Sequence, residues 1–367
     1  MPGKPRQSNF ELLRLLSMLA IVAGHLFTEG HLIAHATPGT LLPCLLLGSG
    51  ARVATNLFVL LGCWFLVGST LPGAPDFAPG RRWWRLHFTV LCWAAPLTVA
   101  ALAMGAHPGL KDALRGFLPF VGRPLWFASA WMSLLLLVPF LRHALELPAR
   151  RLGALVAVGG LLLVFNSTLA DFREGYLTDT FWFAWVYLFL GWFRLCAPDR
   201  LRRVPASAAL ATGLALYAAL VLPEWWARAH IASHPAAPAV HALAERFLAD
   251  LKCAPNFLCA FALFLFFARI DLGSVRWINA AARPAFAVYV AHQTPAFWPV
   301  LWPRVVRTPA WWGEPWTPLA ALGATVAIYA AVALAETARL RLLEPRWTRT
   351  RAFAALARAV DRLCGVR

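Results

Sequence analysis

The sequence predicts an all-α integral membrane protein, in which about ten transmembrane helices form a bundle around a polar interior cavity. Of its 367 residues, 60% are hydrophobic and only 14% are charged, against about 45–50% and 25% in typical soluble domains. The mean hydropathy is +0.62, and the apolar residues are spread along the whole chain. This composition excludes a disordered chain and a soluble enzyme with a single membrane anchor.

Ten apolar runs account for the predicted helices. A helix needs about 20 mainly apolar residues to cross the hydrocarbon core, and turns rich in proline and glycine, such as residues 71–75 and 312–315, separate the runs. No internal repeat is visible, so residues 1–367 are expected to form one domain. The runs begin near Phe10, Arg52, Leu86, Leu125, Leu152, Phe181, Ala208, Ala254, Pro284 and Pro318.

Two segments differ from these runs. Residues 223–252 read as a longer loop, and residues 340–367 as a basic tail. Within the loop, apolar residues recur at helical spacing, which predicts a short amphipathic helix on the membrane surface. These residues are Val240, Leu243, Phe247, Leu248 and Leu251.

The distribution of positive charge predicts the orientation. When successive loops are assigned to opposite sides, 23 of the 34 Lys and Arg residues fall on one side and ten on the other, with Arg14 inside the first run. Membrane proteins carry such an excess on the cytoplasmic side. We therefore expect both termini in the cytoplasm and the 223–252 loop on the opposite side.

The seven cysteines do not indicate a metal centre. No pair has CxxC spacing, and most lie inside apolar runs, where cysteine behaves as a small hydrophobic residue. We expect neither a metal site nor a disulfide framework.

The first run carries a stripe of polar residues. Arg14 and His25 are 11 positions apart, close to three full helical turns, so they share one face about 16 Å apart along the axis. Glu11 and Ser17 lie one turn to either side of Arg14. Ionisable groups inside a membrane are costly and usually functional, so the stripe predicts a path for a long molecule with His25 as a titratable base. A structural Glu11–Arg14 pair with a hydrogen-bonded histidine explains the residue types equally well.

Other polar residues lie in later runs. His292 has Tyr289 one turn before it on the same face, although a histidine in such a place more often makes an interhelical hydrogen bond. Asn56 has the same two interpretations. For Glu336, an ion pair with Arg339 is favoured.

A cluster of arginine and tryptophan precedes the third run, at residues 81–85. The guanidinium groups of Arg82 and Arg85 match the geometry of phosphate, which suggests a phosphate clamp. Interfacial anchoring by positive and aromatic residues explains the same cluster fully, and composition alone does not choose between the two.

Taken together, these motifs resemble those of the acyltransferase-3 family, bacterial integral-membrane O-acyltransferases that decorate cell-surface polysaccharides. The resemblance covers nearly the whole chain, and the Arg14–x10–His25 spacing is its most specific part. Leu61 and Cys63 stand where the family usually has Ser and Tyr. Weaker matches follow in the right order: Asn56 and Gly62, Arg82 and Arg85, the segment from Trp126 to Leu141, Gly191, and Tyr289 with His292.

The resemblance implies an enzyme of the bacterial inner membrane. It would move an acyl group, most often acetyl, from cytoplasmic acyl-CoA to a sugar hydroxyl of a surface polysaccharide or its lipid-linked precursor. His25 would be the general base, because histidine titrates near neutral pH. Arg14 would be catalytic and would also bind the donor together with Arg82 and Arg85.

The remaining residues would have supporting roles. His292 and Tyr289 would orient the acceptor or stabilise the oxyanion, and Glu11, Asn56 and Trp126 would support the site. A transporter or flippase of lipid-linked glycan is the rival interpretation, since many spans and a polar cavity would serve it equally well. A non-enzymatic assembly protein would leave Arg14 and His25 without a chemical role.

Overall fold

The computed structural model describes residues 7–118, 125–169 and 176–366. Within these residues every regular element is a helix and none is a strand. The predicted all-α membrane fold is therefore confirmed.

The chain up to residue 196 forms the first group of helices. Helices α2 and α3 are separated only by a short break, and α7 runs through a π-helical segment, Leu161–Phe165, into α8. The helices are α1 (Ser8–Glu29), α2 (Pro38–Gly48), α3 (Ala51–Gly68), α4 (Gly80–Ala103), α5 (Leu110–Phe117), α6 (Trp126–Ala144), α7 (Ala149–Gly160), α8 (Asn166–Leu169) and α9 (Tyr176–Cys196).

The rest of the chain forms the second group. A π-helical segment, Leu301–Val306, and a 3-10 turn, Thr308–Trp311, lie between α16 and α17. The helices are α10 (Pro198–Arg203), α11 (Ala206–Ala229), α12 (Ala237–Ala249), α13 (Ala254–Arg269), α14 (Arg276–Ala282), α15 (Ala285–His292), α16 (Trp298–Val300), α17 (Thr317–Leu342), α18 (Glu344–Thr348) and α19 (Arg351–Leu363).

Length and composition identify seven or eight candidate spans among the described residues, where the sequence predicts about ten. Among the described residues, seven helical stretches are long and apolar enough to cross a membrane. An eighth is added if α12 and α13, bent by 47° at their junction, form one broken span.

The ninth predicted run, from Pro284, departs most from expectation. Helix α15 ends at His292 after eight residues, and helical structure resumes only at Trp298. Pro295, Pro299 and Pro303 follow within this run; proline has no backbone N–H to donate and its ring clashes with the preceding turn. The prediction of one continuous helix from Pro284 is therefore wrong. The break in the helix places His292 at the end of α15.

The loop predicted for residues 223–252 also differs. Helix α11 continues through Pro223 to Ala229, so the connection begins at His230. Membrane helices tolerate an internal proline where neighbouring groups satisfy the freed carbonyl. Helix α12 occupies the segment in which the amphipathic helix was predicted, with Ala244 buried and Leu243 exposed. The region of the predicted basic tail contains the end of α17 together with α18 and α19.

Large apolar side chains cover much of the outer surface. Leu161, Leu162 and Phe165 are more than half exposed, and Leu319 and Leu334 of α17 are 74% and 75% exposed. Apolar surface of this extent is unfavourable in water and fits contact with lipid tails. The outer surface thus agrees with a multi-pass membrane protein.

Hydrogen bonds between loops reveal two ends of the bundle. At one end, Ser8 N–H donates to the carbonyl of Gly273, and Gly80 N–H donates to the carboxylate of Asp361. All four residues belong to the cation-rich group of loops. At the other end, the loops of the cation-poor group contact one another: Trp312 Nε1 donates to Gly30 O, Ala254 N to Thr168 Oγ1, and Arg304 to Met104 O.

This grouping leads to a topology prediction. Reporters fused to either terminus should give a cytoplasmic signal, because the cation-rich end carries both of them. A reporter in the connection between α11 and α12 should give a signal from the opposite side. A cytoplasmic signal from that connection would contradict the predicted number of crossings.

Candidate active site

Two histidines that are 267 positions apart in the sequence meet inside the bundle. His25 lies one turn before the end of α1, and His292 is the last residue of α15. The Nδ1 atom of His25 is 2.9 Å from the Nε2 atom of His292. His292 is buried, whereas His25 keeps part of its surface accessible. The sequence singled out both residues but did not predict their contact.

A backbone carbonyl determines the tautomer of neutral His292. His292 Nδ1 lies 2.6 Å from the carbonyl oxygen of Val288, which can only accept. Nδ1 of His292 therefore carries a proton, and Nε2 of the neutral ring is an acceptor. The tautomer of His25 depends on which neighbour its Nδ1 bonds to: donation to His292 Nε2 leaves Nε2 of His25 unprotonated, whereas acceptance from the amide of Gln293, 2.9 Å away, leaves Nδ1 unprotonated. Either tautomer of the neutral ring keeps one nitrogen without a proton. A general base needs such a nitrogen.

The carboxylate of Glu29 lies close to the histidine pair and is linked to it through Gln293. The Nε2 atom of Gln293 lies 2.9 Å from His25 Nδ1 and 3.3 and 3.4 Å from the two carboxylate oxygens of Glu29. Trp302 Nε1 donates to Glu29 at 2.7 Å. The negative charge of Glu29 is thus held in place, where it offsets positive charge that His25 gains on taking a proton.

Gly24 allows α1 to approach the start of α3 closely. A Cβ atom at this position would lie 2.2 Å from the Cβ of Ala51 and 3.0 Å from the carbonyl oxygen of Gly48. These distances leave no room for a side chain. The close crossing brings His25, the next residue, to the same cavity wall as Arg52.

A cavity of about 420 Å³, here named the histidine cavity, adjoins His25. Apolar side chains such as Met18, Ile21 and Phe58 form much of its wall, and Arg52 is among its polar residues. Its volume falls in the range of about 300–1,000 Å³ that is usual for small-molecule sites. Mainly apolar walls with a few polar groups suit a reaction that must exclude water.

Two more of the predicted residues, Trp126 and Tyr289, line the histidine cavity. The N–H of Phe127 donates to the Oη atom of Tyr289 at 3.2 Å. Among the described residues the phenolic proton of Tyr289 has no acceptor, so it is free to donate a hydrogen bond. A donor in this wall is suited to stabilising an oxyanion.

Asn56 is fully buried, and both the nitrogen and the oxygen of its side-chain amide form hydrogen bonds within the protein. Its Nδ2 donates to the carbonyl of Leu251 at 2.6 Å and to Asn256 at 3.2 Å, while Trp182 Nε1 donates to its Oδ1 at 3.0 Å. Asn56 therefore joins α3, α9 and the segment before α13. It does not line the histidine cavity.

Arg14 lies outside the histidine cavity and pairs with Glu11 at 2.5 Å. The part of α1 that lines the cavity begins at Met18, one turn after Arg14. Ser17, between them, is buried, and its hydroxyl has no hydrogen-bond partner among the described residues. The structure thus shows the Glu11–Arg14 ion pair, and the histidine cavity does not extend to it.

Arg82 and Arg85 also lie outside the histidine cavity, at the cation-rich end where α4 begins. The Arg82 guanidinium is 4.6 Å from the ring centroid of Phe77. The Nε of Arg85 is 3.8 Å from a carboxylate oxygen of Glu344, and the Arg85 side chain is half exposed. Neither arginine is buried by its partner, so both are accessible to a ligand at that end.

A comparison with protein families decides the family of this chain. The acyltransferase-3 family model, described as an acyltransferase domain, matches residues 7–336. The chain belongs to the acyltransferase-3 family. No curated protein and no solved structure matches it. Family membership supports a membrane acyltransferase activity, and the match includes both His25 and His292.

This acyltransferase-3 protein has a second cavity of about 320 Å³, which we name the lysine cavity. Arg52 and Trp126 line both cavities, so the two adjoin each other. Lys252 Nζ lies 3.6 Å from Asp179 and 3.4 Å from Asp250. The lysine cavity is therefore rich in charged groups, unlike the histidine cavity.

Sequence reasoning missed several residues of this acyltransferase-3 site. Arg52 was treated only as one of the ten cations of its side, although it is the first charged residue of an apolar run. Glu29 lies four positions after His25, a spacing that places both on one helix face. Gln293 directly follows His292. Within the described residues no group of three or more His, Cys, Asp or Glu side chains is arranged to hold a metal ion.

Proposed function

We propose that this acyltransferase-3 protein transfers an acyl group, most often acetyl, from cytoplasmic acyl-CoA to a sugar hydroxyl. The acceptor is a surface polysaccharide or its lipid-linked precursor, and the enzyme works in the bacterial inner membrane with both termini in the cytoplasm. The observation that carries the proposal is the position of His25 in the wall of the histidine cavity, with His292 Nε2 at 2.9 Å from its Nδ1. In the proposed tautomer, His25 Nδ1–H donates to His292 and Nε2 is left unprotonated.

The proposed reaction begins with His25. Its Nε2 takes the proton of the acceptor hydroxyl as the oxygen attacks the carbonyl carbon of the thioester. The negative charge that develops on the carbonyl oxygen is stabilised by a hydrogen bond from Tyr289. The carbon–sulfur bond then breaks, and the proton held by His25 passes to the leaving thiolate, which departs as free CoA. The products are the O-acyl ester and CoA–SH, and His25 is returned to its starting state.

The two ends of the molecule support separate approaches for the two substrates. Arg82 and Arg85 lie at the cation-rich end and would hold the phosphates of the donor. Arg14, oriented by Glu11, lies between that end and His25. The histidine cavity ends at Met18, one turn short of Arg14, so donor binding would have to extend it towards Arg14. The acceptor would arrive through the lysine cavity at the opposite end.

Membranes that contain the protein, incubated with radiolabelled acetyl-CoA and the cell's own glycan, test this function. Label should move onto the glycan, and mild alkali should release it because an O-acetyl ester is alkali-labile. A flippase or an assembly protein would leave the glycan unlabelled. Transfer of label to an amine would contradict the O-acyl assignment.

Replacement of His292 is expected to lower kcat without raising KM for the donor. His292→Leu removes the acceptor for His25 Nδ1–H, and loss of a hydrogen bond to a group that becomes charged costs about 1.5–3 kcal/mol. The rate should fall about tenfold to hundredfold. His292→Gln provides an amide oxygen as acceptor and should recover most of the loss. Equal losses in both variants would count against a role in orienting His25.

A further inference from the structure

Arg52 differs from the other cations that line the two cavities. Arg228 Nε lies 2.5 Å from Glu224, and Lys252 lies within 3.6 Å of two carboxylates. Arg52 makes no hydrogen bond and no ion pair within 4 Å with any described residue. The guanidinium carbon of Arg52 lies 6.0 Å from the ring centroid of Trp126.

The carboxylates around Arg52 are held by other groups. Asp179 and Asp250 both face Lys252, and Lys252 N–H also donates to Asp250 at 2.9 Å. Glu29 accepts from Trp302 and Gln293. These three carboxylates attract Arg52 only from beyond contact distance. Each of the three therefore already has a partner other than Arg52.

A guanidinium in this position lacks the acceptors that it requires. It carries five N–H donors in a planar fork, and a largely desolvated charge without a direct partner is costly to maintain. Carboxylate and phosphate oxygens match this fork in pairs, with stronger hydrogen bonds than neutral acceptors make. The missing partner of Arg52 is therefore best supplied by an anionic group of a ligand.

We propose that Arg52 binds an anionic group, carboxylate or phosphate, of the acceptor while the acceptor's hydroxyl reaches His25. The inference rests on the proposed function for the identity of the ligand as acceptor. Arg52 lies on the wall shared by the lysine cavity and the histidine cavity, so an anion held there leaves the rest of the acceptor room in both. The carboxylate of an acidic sugar and the phosphate that links a glycan to its lipid carrier are the two sources of such a group.

Saturation-transfer NMR on the purified full-length protein in detergent tests the proposal with three probes at millimolar concentration. Methyl β-glucuronide carries a carboxylate, glucose 1-phosphate a phosphate, and methyl β-glucoside no charge. At least one anionic probe should bind tenfold or more tightly than the glucoside, and which one does so distinguishes the two sources. Equal binding of all three, or no binding of either anion, would overturn the proposal.

Substitutions assign the binding to Arg52. Arg52→Gln should remove the preference for anions, whereas Arg304→Gln, which deletes an exposed charge at the same end, should keep it. Arg52→Lys retains the positive charge but lacks the planar guanidinium group, so the affinity for the anion should fall by a smaller factor than in Arg52→Gln. If Arg52→Gln fails to fold, Arg52→Lys is used to test the role of Arg52. An unchanged preference in both Arg52 variants would contradict the role of Arg52.

Two controls separate this inference from the proposed function. Excess coenzyme A should not displace the anionic probe; displacement would mean that Arg52 binds the phosphates of the donor. Acetyl transfer is measured independently on the same preparations. If the protein binds the anionic probe but transfers no acetyl group, the proposed function is wrong and the role of Arg52 stands. If it transfers acetyl groups but shows no preference for the anionic probes, the role of Arg52 is wrong and the proposed function stands.

Discussion

Replacement of His25 by glutamine is expected to abolish acyl transfer while the protein still folds and inserts. Glutamine keeps the polarity and approximate size of histidine, and its amide can still hydrogen-bond to His292. It cannot take up and return a proton. General-base catalysis contributes about 10²–10⁴-fold, so His25→Gln and His25→Ala should both lose at least a hundredfold in rate. The measurement is acetylated glycan in cells at matched levels of membrane protein.

The control for this prediction is a histidine at the same end that does not line either cavity. His35 is exposed and stacks on Trp312 with 3.9 Å between ring centroids, so His35→Gln should leave transfer unchanged. The structural alternative for His25 makes the opposite prediction. If His25→Gln keeps most of its activity, the histidine pair only holds α1 to α15, and the base must be sought elsewhere, with His292 first.

The double substitution Arg82→Ala with Arg85→Ala is expected to weaken donor binding at least tenfold. Each lost charge-assisted hydrogen bond to phosphate costs about 1.5–3 kcal/mol. The donor concentration that half-saturates the reaction should rise, while kcat at saturating donor changes little. The Arg82 guanidinium lies over the ring of Phe77, and Glu344, 3.8 Å from Arg85, also pairs with Arg339. Removal of the two arginines therefore leaves Glu344 with a partner.

Two comparisons show whether these arginines bind phosphate or merely anchor the end of α4. Arg150→Ala with Arg151→Ala removes two exposed charges from the same end and should not change donor saturation. Arg82→Lys with Arg85→Lys keeps the charge that orients the chain but loses the guanidinium fork, so an intermediate loss is expected. If the alanine pair saturates like the wild type, the two arginines are interfacial anchors.

Features that depend on local spacing could be predicted from the sequence. Glu336 and Arg339, three positions apart on α17, form the expected ion pair at 2.7 and 2.8 Å. The shared face of Arg14 and His25 follows from the angular spacing of any continuous helix, and α1 is continuous from Ser8 to Glu29. Within one helix, sequence distance determines spatial distance.

Features that depend on packing between helices could not be predicted in this way. The contact of His25 with His292 requires α15 to end beside α1, which hydropathy does not encode. The same is true of Arg52, whose place in the cavity wall depends on the crossing of α1 and α3 at Gly24. The break after α15 was missed because the proline-containing segment is nearly as apolar as a span. Hydropathy measures how favourably a side chain transfers from water into lipid. It does not detect that proline lacks the backbone N–H that a continuous helix needs.

The long sequence separation of His25 and His292 has a consequence for biogenesis. The ribosome delivers the first helix early, but its histidine lacks a partner until 267 further residues have been made. The amino-terminal part of a chain is made and folds first during synthesis, so a partly synthesised protein lacks the partner of His25. The contact between His25 and His292 forms only when α15 docks. Under the proposed function, the arrangement that orients His25 is therefore complete only in the nearly finished molecule.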